Sequence, residues 1–416
     1  MSREPQNIAV DIARLRADIE ALGQIGRDPR GGVSRPSFSP ADLEARAWLK
    51  NKIEESGLHC KRDGAGNIFG VLGGDGPVVL AGSHIDTVSN GGRFDGAAGV
   101  LAGLECLRRI REENLRLAKP VGLVSFTDEE GNLVGDFLGS RAFTGRLNRQ
   151  EVERGLTSSG PLLRDILAGA GLSVDSVLRA HQERPGVDAY LELHIEQGPK
   201  LEADGASIGI VGRIAGKNYR WCSYLGKADH GGTTPLELRR DAFLAAADFA
   251  LQGTRLVAAR HRDGLMTIGR ISLTPGSFSV VPGQADFSLD IRSASAESLR
   301  GMGRELLALA EEVAATRGLE FRTRLADETE PVTMSARLIE VLKEGCAELG
   351  YRYLTLTSGA GHDAQIVSAI ADAGLVFIPC AGGVSHAPEE MIDWDDLEKG
   401  ANLLLRSLIR LASRGS

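Results

Sequence analysis

The sequence predicts an α/β protein with a central mixed sheet, interrupted by an inserted α+β domain of ferredoxin-like order. Three observations carry that expectation. The all-apolar run Val78-Val79-Leu80-Ala81 and the predicted buried strand from Val121 to Phe126 alternate with helical patterns, as in a sheet covered on both faces. The stretch from Ile214 to Ala326 changes style and reads β-α-β-β-α-β. Histidines and acids gather directly after the apolar segments, where α/β sheets bind ligands.

The elements follow in chain order. Ile12, Leu15, Ile19 and Leu22 recur at helical spacing, and Gly23 closes the helix. Ser39 as N-cap and Pro40 at the first helical position open a second helix, which stops at Gly57. His59 to Asp63 and Ile68 to Leu72 flank a Gly64-Ala65-Gly66-Asn67 turn and read as a hairpin. A small-residue helix is expected from Gly96 to about Arg111, and another buried strand from Tyr190 to Leu193. Within the inserted block, a strand from Tyr219 to Leu225 precedes a long helix, Leu236 to Arg260. Two strands, a helix from Ala296 to Arg317 and a last strand complete it. The α/β style then resumes with a helix from Ser335 to Leu349, a strand ending near Pro379, and an amphipathic helix from Trp394 to Leu411. This reading divides the chain into residues 1–213 with 327–416, and residues 214–326. Two domains also suit 416 residues, since one core rarely serves more than about 250–300.

Composition narrows the function classes. A formal net charge of -8 provides no basic face for nucleic acid or an anionic membrane. No apolar run approaches membrane-spanning length, and MSREPQNIAVDIARL lacks the apolar core of a signal peptide, so the expected location is cytoplasmic. Cys60, Cys106, Cys222, Cys346 and Cys380 are scattered without CxxC spacing, which suits a reducing compartment. A small-molecule partner is the expectation.

Four clusters carry the chemistry. The first, Gly82-Ser83-His84-Ile85-Asp86-Thr87, leads into Asn90-Gly91-Gly92-Arg93-Phe94-Asp95-Gly96. His84 and Asp86 sit two apart, so on an extended chain they point the same way and a carboxylate can orient the imidazole. Asp95, among glycines, can bridge two cations. The second, Thr127-Asp128-Glu129-Glu130, can supply one metal ligand and one free carboxylate that moves protons. Leu193-His194-Ile195-Glu196-Gln197 and Ser385-His386-Ala387-Pro388-Glu389-Glu390 repeat the pattern of strand, imidazole and acid. Taken singly, each has a plainer reading as a structural histidine, a turn or a solvated acidic loop.

The motifs GSHIDT, GGRFDG, TDEEG, LELHIEQG, HGGTTP, SGAGHDA and GGVSHAPEE together resemble the hydantoinase/carbamoylase branch of the dinuclear aminoacylase and carboxypeptidase superfamily. The resemblance runs in order from His84 to Glu390. It implies a catalytic α/β domain with an inserted lid or dimerisation domain, and hydrolysis of a linear ureido or amide bond. It implies two divalent metal ions, one held by His84, Asp95 and His194, the other by Asp95, Glu130 and His386. Imidazole with carboxylate suits zinc but equally manganese, cobalt or nickel. Glu129 matches the general base, and Asp86 the residue that orients His84. His230 matches a donor to the oxyanion that reaches the partner subunit's site, which makes a homodimer. Arg292 matches the clamp on the substrate carboxylate, while Gln197, Gly359 and the His362 loop match positions near the substrate.

Departures fall in the recognition shell. Ser279 stands where many relatives carry an Asn that helps hold the carboxylate, Gly231 replaces a common Ala, and Lys217-Asn218 stands for Gln-Arg. The leading expectation is an N-carbamoyl-L-amino acid as substrate. Allantoate, N-carbamoyl-β-alanine and N-acyl amino acids stay open, as does a metal-binding protein without turnover. A serine hydrolase is set aside, because neither Ser83 nor Ser385 sits in a G-x-S-x-G elbow.

Overall fold

Four parallel strands form the scaffold. In the computed structural model, which describes residues 8–157 and 160–413, Val78–His84 lies between Val121–Phe126 and Val187–Ile195, and Asp372–Ile378 adds to the far side of the last. Every residue of Val78–His84 and Val121–Phe126 is buried, as expected where helices cover both sheet faces. The hairpin His59–Arg62 with Ile68–Leu72 extends the sheet antiparallel beside Val121–Phe126. Ile208–Ile214 borders Asp372–Ile378, so the sheet is mixed.

Helices cover this scaffold for reasons legible in the chain. In Pro40–Glu55 the Ser39 side chain accepts from the Asp42 amide, and Pro40 fits the first turn because its missing N–H would find no partner there. Ala97–Glu112 carries Ala97, Ala98, Gly99, Ala102 and Gly103 in its first half and is buried at most positions, which brings its backbone close to the strands there. Trp394–Ser413 buries Leu397, Ala401, Leu404, Leu408 and Leu411 on one stripe.

The chain divides into two units. The larger comprises Met1–Gly212, Met334–Leu356 and His362–Ser416; the smaller comprises Arg213–Thr333 with Thr357–Gly361. The short segment Thr357–Gly361 groups with the smaller unit because the Ala215 amide donates to the Ser358 carbonyl and Arg292 donates to the Gly359 carbonyl.

In the smaller unit Gln284–Ser293 pairs antiparallel with Gly216–Leu225, which pairs antiparallel with Glu320–Thr329. The opposite edge of Gln284–Ser293 takes two short strands end to end, Ile271–Thr274 and Gly264–Thr267. Helices Ala242–Arg260 and Ala296–Arg317 pack on the face bearing Phe287, Leu289 and Ile291.

Some elements differ from expectation. The helix expected from Leu236 begins at Ala242, because Asp241 caps it by accepting from the amides of Phe243 and Leu244; Leu236–Leu238 is a separate 3-10 turn. Val187–Ile195 is longer than the expected strand at both ends. The strand Tyr353–Ser358 went unforeseen; its alternation of Leu with Thr is the period-two signal that could have found it.

Candidate metal centre

The carboxyl ends of the parallel strands deliver four clusters to one place in the larger unit. His84 is the last residue of its strand, His194 lies one residue before the end of its own, and Glu129 and Glu130 follow Phe126 closely. The ligand atoms of His84, Asp95 and His194 all lie within 4.8 Å of one another, and so do those of Asp95, Glu130 and His386. Asp95 belongs to both groups. Its Oδ1 is 3.5 Å from His84 Nε2 and 3.1 Å from His194 Nε2, and its Oδ2 is 3.4 Å from His386 Nε2. His386 Nε2 is in turn 3.3 Å from a Glu130 oxygen.

The tautomers show what this arrangement requires. His84 Nδ1 contacts the Asp86 backbone carbonyl at 3.0 Å, and His194 Nδ1 contacts that of Ile195 at 2.9 Å. A carbonyl only accepts, so both rings carry their proton on Nδ1 and turn a lone pair on Nε2 toward Asp95. His84 Nε2 is buried without a hydrogen-bond partner. Lone pairs facing a carboxylate need a cation between them, and imidazole with carboxylate oxygen is a donor set for divalent transition metals. Protonation is the other way to meet the demand. Although burial pushes the His84 imidazole down, Glu129, Asp95 and Asp86 hold it well above its ordinary value. Burial pushes Glu130 up to about 8, with Asp95 adding to the effect. The hydrogen bond to Asp95 raises His386 to about 9.

The expected contact between the Asp86 carboxylate and His84 needs correction. Asp86 Oδ1 is 3.7 Å from the ring, and its carbonyl makes the orienting contact instead. The carboxylate oxygens accept from the Glu129 and Glu130 amides, both at 3.4 Å, and so fix the acidic loop. Glu129 Oε2 is 3.6 Å from His84 Nε2, and burial pushes its carboxyl well above the usual range. Gln197 donates from Nε2 to Asp95 Oδ2 at 2.7 Å, which places it against the shared aspartate.

Backbone geometry brings these groups together at some cost. Asp128, Gln197 and His386 all have positive φ, which non-glycine residues adopt rarely and mostly where function demands it. Gly96 also has positive φ, and a Cβ there would lie 2.4 Å from His84 Nε2, so only glycine allows the imidazole its position.

Two further residues hold the ligands in place. Glu390 accepts from the Phe94 and Asp95 amides at 2.8 and 3.1 Å, tying the Asp95 loop to the His386 loop. Arg35 is fully buried: its guanidinium donates to the carbonyls of Ile85, Leu22 and Ile25, and the first of these lies between His84 and Asp86. Glu390 was legible as an acid of the His386 cluster, though not in this role, whereas Arg35 shows no local signal, since it acts on residues remote in sequence. His362 packs edge-on to His194, with ring centroids 4.6 Å apart.

Four of the singled-out residues belong to the smaller unit. His230 pairs with Val280 in a two-stranded ribbon, and the Gly231 amide donates to the Ser279 carbonyl at 2.6 Å. His230 Nδ1 accepts from the Gly232 and Thr233 amides, which leaves the proton on Nε2 of an exposed ring. Arg292 donates from Nε to Asp290, from Nη1 to the Gly359 carbonyl at 2.7 Å, and from Nη2 to the Tyr219 hydroxyl.

Known proteins resemble this chain along nearly its whole length. The chain is 35% identical over 412 residues to an N-carbamoyl-L-amino-acid amidohydrolase of Pseudomonas sp. (strain NS671), covering 97% of this chain and 99% of that one. It is 34% identical over 399 residues to an allantoate amidohydrolase of Bacillus subtilis (strain 168), covering 95% and 96%. A crystal structure of an amidase of the hydantoinase/carbamoylase family from Burkholderia multivorans superposes with a TM-score of 0.89 at 30% identity, covering 98% of this chain and all of that one. The model of peptidase family M20/M25/M40 matches residues 80–410. This chain is therefore a hydrolase that belongs to peptidase family M20/M25/M40.

Proposed function

We propose that this protein hydrolyses an N-carbamoyl-L-amino acid to the free amino acid, carbon dioxide and ammonia. The observation that carries the proposal is the pair of ligand groups sharing Asp95, with Glu129 alongside. His84, Asp95 and His194 would hold one divalent cation, and Asp95, Glu130 and His386 the other. Such cations lower the pKa of a water and polarise a carbonyl oxygen. Zinc, manganese, cobalt and nickel all suit the donors.

The chain's own groups supply the rest. Glu129 takes the proton of the attacking water and returns it to the leaving nitrogen, a task that suits a carboxyl whose pKa burial has raised well above its ordinary value. Asp86 holds the Glu129 and Glu130 amides and so fixes where that carboxylate swings. Arg292 receives the substrate carboxylate, for which a planar guanidinium offers paired donors. His230 donates from Nε2 to the oxyanion that develops as the ureido carbon becomes tetrahedral. We place His230 in the site of a partner copy, which makes the working unit a homodimer. The free cysteines fit a cytoplasmic location.

Allantoate is the second reading, favoured by a specific residue. A serine hydroxyl at 279 reaches less far than the expected asparagine, and the allantoate amidohydrolase matches nearly as well as the N-carbamoyl-L-amino-acid enzyme. The test is ammonia release from a panel of ureido acids, with metal-stripped protein reloaded with zinc or manganese. Turnover of N-carbamoyl-L-amino acids, abolished in Glu129→Gln, is expected. Turnover of allantoate alone would establish the second reading, and silence across the panel would reject both.

A further inference from the structure

Two buried acids of the larger unit take no part in the chemistry above. Glu192 lies two residues before His194, and Asp363 directly follows His362; both are fully buried. Glu192 is well held, since Ser83 Oγ donates to one carboxylate oxygen and the Ala364 amide to the other, each at 2.8 Å. Asp363 differs, for neither of its carboxylate oxygens has a hydrogen-bond partner in the protein.

Two hydroxyls share that condition at the same place. Tyr190 Oη and Ser140 Oγ are fully buried, and neither makes a hydrogen bond. The Tyr190 hydroxyl lies beside Glu192 and Asp363, whose charges add to the effect of burial in raising its pKa. Burial and the neighbouring Glu192 push the Asp363 carboxyl well above its ordinary value, and the nearby Ser140 hydroxyl offsets this only in part. The strand Val187–Ile195 and the helices Leu138–Thr144 and Asp363–Val367 pack together here.

Buried polar atoms nearly always find partners, and several such exceptions at one point indicate a bound species that supplies them. Every donor in the set is an oxygen, which favours a hard cation over the transition metals that imidazole attracts. Glu192 has a neutral donor on each oxygen and Asp363 has none, so the Asp363 carboxylate is the less compensated of the two.

We propose that Asp363, Glu192, Tyr190 and Ser140 form a closed site for a monovalent alkali cation, separate from the pair of divalent ions around Asp95. The cation draws on the Asp363 carboxylate and the two hydroxyls, and it locks the Asp363–Val367 helix to the strand that carries His194. It stabilises the folded chain whether or not any substrate turns over, so it stands independently of the hydrolytic assignment.

The test uses full-length protein loaded with its divalent metal. Thermal unfolding is followed in sodium chloride, potassium chloride and tetramethylammonium chloride at equal ionic strength. The expected result is a saturable rise of the midpoint in one alkali salt over the bulky organic cation. Asp363→Asn should lose that response, and Tyr190→Phe should shift it to higher salt. Crystals soaked in thallous acetate, a potassium surrogate with strong anomalous scattering, should show a peak in contact with the Asp363 carboxylate. Should Asp363→Asn fail to fold, Tyr190→Phe and the thallium peak decide. Equal midpoints in the three salts, a response surviving in Asp363→Asn, or density absent at Asp363 or present only at Asp95 would each overturn the proposal in favour of a proton or plain water there.

Discussion

Asp95 engages the imidazoles of His84 and His194 with one oxygen and that of His386 with the other, and the Ser385 hydroxyl donates to the second at 2.8 Å. Residues that coordinate announce themselves, because histidine and acid pairs after apolar strands are uncommon enough to notice. Residues that hold the coordinators in place do not. Arg35 stands in an unremarkable loop, yet its guanidinium satisfies three buried carbonyls and anchors the turn between His84 and Asp86. Arg35→Met is expected to leave those carbonyls unpaired, lowering unfolding free energy by about 2–5 kcal/mol. Urea titration would register the loss, and a weakened divalent-metal affinity should accompany it. Unchanged stability would mean that water replaces the guanidinium. Gln197 makes a similar point. Its motif was readable, but its direction was not: a positive φ turns its amide onto Asp95.

At the scale of elements, legibility followed burial. Strands buried along their whole length, such as Val78–His84 and Val121–Phe126, stood out by their largely apolar sequence. Tyr353–Ser358 is half-exposed and alternates, so its signal was diluted. The start of Ala242–Arg260 was misjudged because helix propensity over residues 236–241 competes with capping by Asp241, and capping wins. The ribbon of Asp229–His230 with Val280–Val281 was invisible as structure, since two-residue strands carry no periodicity. Yet this ribbon presents the His230 ring with its proton on Nε2. If a partner copy uses that donor, His230→Ala should lose about 10²–10³ in kcat. Mixing and re-equilibrating His230→Ala with Glu129→Ala subunits should restore part of the activity, because some hybrid dimers then contain one intact site. No recovery on mixing would place His230 in its own subunit's site.

Across the whole molecule, the metal centre makes stability depend on pH in a way that metal should reverse. Glu130 is raised from 4.5 to about 8 and His386 from 6.5 to about 9. In metal-free protein both groups therefore keep protons on folding that the unfolded chain has already lost. The folded state binds more protons, so stability should fall as pH rises from the ordinary Glu130 value of 4.5 toward about 9, where His386 also loses its proton. Divalent cations need Glu130 ionised and His386 neutral, so their stabilising effect should grow over the same range. Thermal melts with and without chelator would show the two curves diverging with pH; parallel curves would remove these groups from the metal site. The change of strand and helix style is a feature of the sequence, whereas the grouping of Thr357–Gly361 with the smaller unit depends on hydrogen bonds that no local pattern foretells.

The most direct test is anomalous diffraction from crystals grown with zinc or manganese. Two peaks are expected on either side of Asp95, each about 2.0–2.2 Å from its ligand atoms if the ion is zinc. One should touch His84 and His194, the other Glu130 and His386, with Glu129 bound to neither. A single peak, or ions seated away from Asp95, would contradict a shared dinuclear centre.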